Sequence, residues 1–120
     1  MGGIWLRFKF EVMDNILVVY LDGELDHHSA EEVREDIDNN IDSKNIKNLI
    51  FELSNMKFMD SSGIGVVIGR YKKIDKLGGK VGVVNSNPHV DRIFQMAGIY
   101  KIIHKYKTKD EAVANIQRGE

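Results

Sequence analysis

The chain has 120 residues, of which 42% are hydrophobic and 29% are charged, and its net charge is −1. This size and composition predict one globular domain over residues 1–120, and the near-neutral charge gives no support to binding of nucleic acid or a membrane surface. Without cysteine, neither a disulfide nor a thiolate metal site can form. No segment reaches the ~18 apolar residues of a membrane span, and the first residues lack signal-peptide features, so we expect a cytoplasmic protein.

Two strands are predicted at the start of the chain. Residues 5–12, beginning with Trp5, alternate apolar and polar side chains, which is typical of a strand with one buried face. A turn follows, and the nearly continuous apolar run at 16–21 predicts a second strand that pairs antiparallel with the first. Gly23 is expected to end this second strand.

The first helix is predicted from Ser29, because Ser29 followed three residues later by Glu32 is the pattern of a capping box. The helix runs to about residue 41 and turns Val33, Ile37 and Ile41 inward. Its acidic residues are interpreted as a solvated outer face, which consists of Glu31, Glu32, Glu35, Asp36 and Asp38.

Residues 48–84 have the order strand, helix, strand, which is typical of a parallel crossover unit. One strand spans 48–53 and is followed by a polar turn, and the other spans 80–84 after a double-glycine turn. Asp60 takes the N-cap position of the helix between them, so the helix begins at or next to Ser61. A hydroxyl group is therefore expected at the start of a helix.

The periodicity of this helix separates an apolar stripe from a face with an unusual composition. The stripe predicted to face the core consists of Ile64, Val67, Ile68, Tyr71 and Ile74. The opposite face consists of Ser61, Ser62, Gly65, Gly69, Lys72, Lys73 and Lys76. Each glycine inside a helix costs about 1 kcal/mol relative to alanine, so a glycine track beside a serine suggests that a partner docks there. The alternative is that the glycines pack against loops of the same chain and the serines only help to cap the helix.

The rest of the chain predicts two more helices and one short strand. Asn87 and Pro88 start a helix that ends at Gly98. Its inward residues are Val90, Ile93, Phe94 and Met96. A strand at 100–106 precedes a terminal helix, which a second capping-box pattern, Thr108 with Glu111, announces. The inner side of that helix consists of Ala112, Val113 and Ile116. The expected fold is α/β: a mixed sheet of about five strands with about four helices packed mainly on one side.

No catalytic or metal-binding motif in the chain is complete. The adjacent His27 and His28 lack a histidine or cysteine at a spacing that would support zinc. Asp26, His27 and Ser61 could be imagined as a hydrolase triad, but the serine has no nucleophile elbow, and the glycines near it lack the lysine and spacing of a phosphate loop. We therefore expect no enzyme activity, no cofactor and no metal. A stand-alone serine or nucleotide hydrolase is the alternative from another class.

Phosphorylation of Ser61 is chemically better supported. Amides at a helix start donate hydrogen bonds to phosphate oxygens and the positive end of the helix dipole attracts their charge, so the fold need not rearrange. The phosphate would add about −1.5 to −2 charges beside Asp60, and beside Glu24 and Asp26 if the loop of residues 23–28 lies on the same edge of the sheet. The hypothesis is that phosphorylation leaves the fold intact and abolishes one interface through charge and steric conflict. The residues alone do not rank Ser61 above Ser62.

Several segments of the sequence resemble the STAS-domain anti-anti-sigma factors. They are GELDHHSAE at 23–31, FMDSSGIGVVIGRYK at 58–72, the glycine turn and strand at 78–81, and RIFQMAGIYKII at 92–103. The resemblance covers nearly the whole chain, and the first two segments are specific in combination. Only residues 1–6 depart from the family pattern. Within the family, the chain most resembles the anti-sigma-F factor antagonists of spore-forming bacteria.

The resemblance implies a regulatory binding protein. Members bind an anti-sigma factor that is itself an ATP-dependent serine kinase, and so release the sporulation sigma factor that it holds. The kinase phosphorylates the serine that matches Ser61, and a dedicated serine phosphatase reverses the modification. The kinase contact implied by the resemblance lies near Asp26, Ser62, Gly63 and Gly65. The glycine face of this helix and its cap extend the expected partner surface to Asp60, Gly69 and Lys72.

The protein is expected to act as a monomer, without direct contact with nucleic acid or membrane. The close alternative is that the same module serves a stress-response sigma factor or another sigma factor.

Overall fold

The fold is built on a mixed β-sheet, and the computed structural model describes residues 6–119. Within that part of the chain, five strands pair in the order β1-β2-β3-β4-β5. Their bounds are Leu6–Met13 (β1), Ile16–Leu25 (β2), Asn48–Met59 (β3), Val81–Val84 (β4) and His104–Tyr106 (β5). β1 runs antiparallel to β2, and each later strand runs parallel to its neighbour. The predicted mixed sheet is confirmed, while Trp5 lies outside the described residues.

Helices cover the two faces of the sheet unequally. Their bounds are Ala30–Ser43 (α1), Ser61–Lys76 (α2), Pro88–Met96 (α3) and Lys109–Gln117 (α4), with a short 3-10 helix at Ile99–Lys101. The first three α-helices bury a larger core on one face, and α4 covers a smaller core on the other. Successive strand residues point to opposite faces, so Leu17 and Val19 of β2 join the larger core and Ile16 and Val18 the smaller one. None of these helices combines the length and the apolar character that crossing a bilayer requires.

Both β2 and β3 extend further than the sequence predicted, and the extension builds the edge that carries the candidate site. Gly23 does not end β2 but adopts a φ of +111° inside it, next to a shift in register. Residues 54–59, predicted as a polar turn, continue β3 and pair with the end of β2. The prediction was wrong because a neighbouring strand supplies the backbone hydrogen bonds whatever the polarity of the exposed side chains. As a result Leu25 pairs with Met59, one residue before Asp60.

The region around α3 differs from prediction in two ways. Met96 was predicted to face inward, but 81% of it is exposed. The strand predicted at 100–106 is reduced to β5, because Gly98 turns the chain with a φ of +74° and a 3-10 helix follows. That 3-10 helix buries Ile99 completely, so packing of one apolar side chain decides the local conformation.

The start of α4 follows the predicted capping pattern in one half. Thr108 Oγ1 accepts a hydrogen bond from the amide of Glu111 at 3.0 Å. The Glu111 carboxylate accepts the amide of Lys107 at 2.8 Å and not that of Thr108. The inner residues are buried as predicted; they are Ala112, Val113 and Ile116.

Candidate protein-docking site

Asp60 fixes the start of α2. Its backbone is extended, with φ −106° and ψ −167°, and its Oδ1 accepts hydrogen bonds from the amides of Ser62 at 2.8 Å and Gly63 at 3.2 Å. The amide of Asp60 donates to the carbonyl of Leu25 at 3.2 Å, which ties the cap to the end of β2. The predicted N-cap is confirmed, and Ser61 is the first residue of the helix.

The two serines at this helix start have different environments. Ser61 is exposed, and no residue within 6–119 forms a hydrogen bond with its hydroxyl. Ser62 is half-buried and lines a groove between α1 and α2. The first-turn amides were expected to be available to a phosphate. Those of Ser62 and Gly63 instead already donate hydrogen bonds to Asp60. A phosphate on Ser61 would therefore project outward, beside the Asp60 carboxylate.

Gly63 lies beneath the surface, although it was predicted near the partner contact. It is buried, and a Cβ added there would overlap Cγ of Met59 and lie 2.8 Å from the carbonyl oxygen of Leu25. Real Cβ atoms do not approach a backbone oxygen this closely. The requirement for glycine at this position is therefore set by packing inside the chain.

Gly65 and Gly69 lie on an open face of α2. A Cβ added at either glycine would meet no atom within 4 Å. The alternative that these two glycines pack against loops of the same chain is thus wrong. Lys72 is exposed on the same face, whereas Lys73 turns toward α1 and forms an ion pair with Asp42 at 3.0 Å.

The buried side of α2 is rotated from the predicted stripe. Val66 and Arg70 are buried, while Ile64, Ile68 and Tyr71 are only partly buried. The reason is that α1 packs beside α2 and covers one flank of it.

Asp38 pairs with Arg70 across this helix contact. Its Oδ1 lies 2.9 Å from Nε of Arg70, close enough for an ion pair but outside hydrogen-bond geometry. Asp38 was assigned to a solvated acidic face, and that assignment is wrong. Burial lowers the pKa of the Arg70 guanidinium, and Asp38 opposes that shift. The pair fixes α1 relative to α2 and so shapes the groove between them.

The loop before α1 has a different cap from the predicted one. Ser29 makes no side-chain hydrogen bond to the first turn of α1, so the predicted box with Glu32 does not form. Instead Asp26 Oδ1 accepts the amide of Ser29 at 3.2 Å, and Ser29 Oγ accepts the amide of Asp26 at 3.1 Å. This is the reciprocal arrangement of a capping box, set three residues earlier. Burial alone would raise the pKa of Asp26, but hydrogen bonds from the amides of Ser29 and His28 lower it overall.

The Asp26–Ser29 turn and the start of α2 together border a groove. The groove is a depression of about 390 Å³ between α1 and α2. Its lining includes His27, Ala30, Glu31, Arg34, Ser62 and Gly65. The loop of residues 23–28 therefore lies on the same edge of the sheet as the Ser61 hydroxyl, which was the condition for placing a phosphate near its acidic residues.

The suggested hydrolase triad has no hydrogen-bonded relay among the described residues. Asp26 uses Oδ1 for backbone amides and for Ser29, and no hydrogen bond joins it to the imidazole of His27 or joins that ring to Ser61. The double glycine at 78–79 is a turn, as predicted, with a φ of +78° at Gly78. What this edge of the molecule offers is a preformed surface with one exposed hydroxyl.

An aromatic pair on the same edge was missed by the sequence analysis. Phe58 is 38% exposed and stacks on His89 with ring centroids 5.8 Å apart and an interplanar angle of 23°. The sequence assigned Phe58 to a polar turn, and the pairing of the extended β3 with β2 is what places it beside the start of α2. Exposed aromatic residues beside a docking face often contribute to binding.

The sequence of the chain is similar to those of known proteins. The family model described as STAS domain matches residues 7–112. The anti-sigma F factor antagonist of Paenibacillus polymyxa is 38% identical over 112 residues, which cover 93% of this chain and 96% of that protein. The anti-sigma-B factor antagonist of Bacillus subtilis is 31% identical over 90 residues, covering 75% and 81%.

The fold of the chain is also similar to those of solved structures. The anti-sigma factor antagonist SpoIIAA in its unphosphorylated form matches with a TM-score of 0.75 at 30% identity, covering 92% of this chain and 98% of that one. The Bacillus cell fate determinant SpoIIAA in the phosphorylated form matches with a TM-score of 0.74 at 32% identity, covering 92% and 99%. The matched part of the chain includes the Asp26–Ser29 turn and the start of α2.

Proposed function

The chain belongs to the STAS domain family, and on that premise we propose that it is an anti-sigma factor antagonist. The resemblance found in the sequence is confirmed by the family match and by relatives with that activity in their names. The proposed partner is an anti-sigma factor that is also a serine kinase, and binding to it releases a sporulation sigma factor. Phosphorylation of Ser61 switches binding off, and a serine phosphatase restores it. The protein acts as a cytoplasmic monomer.

One observation carries this proposal: the exposed Ser61 hydroxyl lies at a capped helix start beside an open glycine face. Asp60 satisfies the amides of Ser62 and Gly63 without any modification, so the fold does not need a phosphate. The structure of SpoIIAA in a phosphorylated form supports phosphorylation as a property of a similar protein. The proposed docking surface consists of Asp60, Ser61, Ser62, Gly65, Gly69 and Lys72, and the turn that contains Asp26 borders it.

The switch follows from charge at this surface. A phosphate on Ser61 adds about −1.5 to −2 charges next to the Asp60 carboxylate. A unit charge on the phosphate and a negative charge of the partner about 6 Å away would repel each other by roughly 1–3 kcal/mol at the effective dielectric constants of a protein surface. A partner carboxylate seated at this helix start would therefore weaken binding about 5- to 150-fold, and the added bulk would increase the loss.

The test combines phosphorylation and binding. The protein is incubated with ATP alone and with ATP plus the anti-sigma factor kinase, and phosphate is mapped by mass spectrometry. Phosphate should appear only with the kinase, and only on Ser61. Ser61→Ala should bind the kinase but accept no phosphate, and Ser61→Asp should bind poorly. The matched control, Ser62→Ala, should still be phosphorylated.

Three results would contradict the proposal. They are modification at Ser62, undiminished binding by Ser61→Asp, and hydrolysis of ATP by the chain alone. The last result would favour the enzyme alternative.

A second candidate is the same module acting on a stress-response sigma factor. It is favoured by the 31% identity to an anti-sigma-B factor antagonist, although that match covers 75% of the chain against 93% for the anti-sigma F factor antagonist. Affinities measured side by side for both classes of anti-sigma factor from one organism decide between them. Tighter binding to the sporulation kinase is the expected result.

A further inference from the structure

We infer that Asp26 acts as a positioning residue: its hydrogen bonds shape the edge that meets the partner, and its negative charge is not what the partner recognises. This inference rests on the proposed function, because binding of the anti-sigma factor is its measured consequence. The hydrogen bonds of the Asp26 carboxylate among residues 6–119 all involve Oδ1. They are the amides of His28 at 2.9 Å and Ser29 at 3.2 Å and the hydroxyl of Ser29 at 3.3 Å.

The second half of the turn comes from Ser29. Its Oγ accepts the amide of Asp26 at 3.1 Å and lies 3.2 Å from the carbonyl oxygen of Glu24, which with Asp26 Oδ1 is one of the acceptors within reach of its single proton. The carbonyl of Asp26 in turn accepts the amide of Ala30 at 2.9 Å. Asp26 and Ser29 therefore hold each other's backbone, and loss of either side chain opens the same turn.

This turn determines the position of one wall of the groove. His27 and Ala30, on and just after the turn, line the groove opposite Ser62 and Gly65. The carbonyl of the preceding residue, Leu25, accepts a hydrogen bond from the amide of Asp60 at 3.2 Å, so a backbone hydrogen bond connects the turn to the cap of α2. A change in the turn is transmitted to both walls of the groove.

An asparagine at position 26 separates geometry from charge. Its amide oxygen accepts the same two backbone hydrogen bonds as Oδ1. Its NH2 group occupies the place of Oδ2, which forms no hydrogen bond among the described residues. Asp26→Asn therefore keeps the turn and removes the charge, whereas Asp26→Ala removes both. Ser29→Ala opens the turn and keeps the charge.

The experiment measures the affinity of these variants for the anti-sigma factor kinase. Asp26→Ala is expected to weaken binding about tenfold, or about 1.4 kcal/mol, because the partner must then order a turn that has lost its capping side chain. Ser29→Ala should weaken it in the same direction, and Asp26→Asn should restore binding to within about threefold of the unsubstituted protein. The double variant Asp26→Ala/Ser29→Ala should lose no more than Asp26→Ala alone, because both substitutions open one turn. Asp110→Asn, on α4, is the control for loss of one negative charge.

Hydrogen exchange of the His28 amide reports the turn directly, because Asp26 Oδ1 is its acceptor, and this amide should exchange faster in Asp26→Ala but not in Asp26→Asn. The Ser29 amide has a second acceptor in the carbonyl of Asp26 at 3.2 Å, so its exchange should change less. Thermal unfolding of each variant checks that the fold is intact. Three results would overturn the inference: Asp26→Asn as weak as Asp26→Ala, additive losses in the double variant, or unchanged binding in Asp26→Ala. If the unsubstituted chain binds no anti-sigma factor, the proposed function itself fails, which is a distinguishable outcome.

Discussion

Alanine substitutions at Gly63 and Gly65 should change stability in opposite directions, although the two positions are only two residues apart in one helix. At Gly65 a Cβ would meet no atom within 4 Å. Alanine is favoured over glycine in a helix by up to about 1 kcal/mol, so Gly65→Ala should stabilise the protein by roughly 0.5–1 kcal/mol.

At Gly63 there is no space for the side chain of alanine. The Cβ would overlap Cγ of the buried Met59 and lie 2.8 Å from the carbonyl oxygen of Leu25. That carbonyl cannot withdraw cheaply, because it accepts the amide of Asp60 at 3.2 Å. Overpacking of a well-packed core costs typically about 1–3 kcal/mol. Gly63→Ala should therefore destabilise the protein despite the higher helix propensity of alanine. Because both variants gain that propensity, their stabilities should differ by about the overpacking cost itself, roughly 1–3 kcal/mol.

Urea unfolding followed by circular dichroism measures this difference. If the slope of the unfolding free energy against urea concentration is unchanged, the midpoint urea concentration of Gly65→Ala should rise and that of Gly63→Ala should fall. Thermal midpoints should separate in the same order, by about 3–6 °C per kcal/mol for a chain of this size. If both variants move in the same direction, the assignment of buried and open faces of α2 is incorrect. Binding measured on Gly65→Ala then tests the docking face in a protein whose fold is not weakened.

Three further substitutions test the contacts around the site. Asp60→Ala should cost about 1 kcal/mol of unfolding free energy because two first-turn amides lose their acceptor, and Asp60→Asn should keep most of it; equal losses would show that the cap geometry is not the cause. Asp38→Ala should cost about 3 kcal/mol because it leaves the Arg70 guanidinium buried without its partner, and adding Arg70→Met should recover most of the loss in urea unfolding. Asp91→Asn tests a pH dependence: burial alone would raise the pKa of Asp91, but hydrogen bonds from Lys105, Ser86 and Tyr100 lower it overall. A carboxyl group with a lowered pKa stabilises the fold above its ordinary pKa near 4, and this stability is lost as pH falls below it. The acid limb of stability against pH should therefore be shallower in Asp91→Asn, and an unchanged limb would contradict the assignment.

Local capping signals explain which parts of the site the sequence could predict. Asp60 before Ser61 needs only its own helix to act, so the N-cap and the helix start were predicted correctly. At α1 two overlapping patterns compete, Ser29 with Glu32 and Asp26 with Ser29. The second one forms because β2 extends to Leu25 and places Asp26 at the turn, and the length of β2 is decided by its partner strand.

Contacts between distant elements explain what the sequence could not predict. Residues 54–59 form strand because the end of β2 lies beside them, and no local property of a polar segment encodes that neighbour. Arg70 is buried because α1 supplies Asp38 at the helix contact, so a charged residue joins the inner side of α2. The openness around Gly65 could be inferred from periodicity, whereas the tightness around Gly63 depends on the position of Leu25.

The occupied cap of α2 has a consequence for how fast the proposed switch can operate. Because Asp60 already holds the amides of Ser62 and Gly63, we expect the first turn to keep its conformation when a group is attached to Ser61. The proposed switch therefore does not require the helix start to melt or refold. It acts through the charge and bulk that a partner meets at the surface. The response time is then set by molecular encounter and by the enzymes that add and remove the group, with no slow internal rearrangement in between.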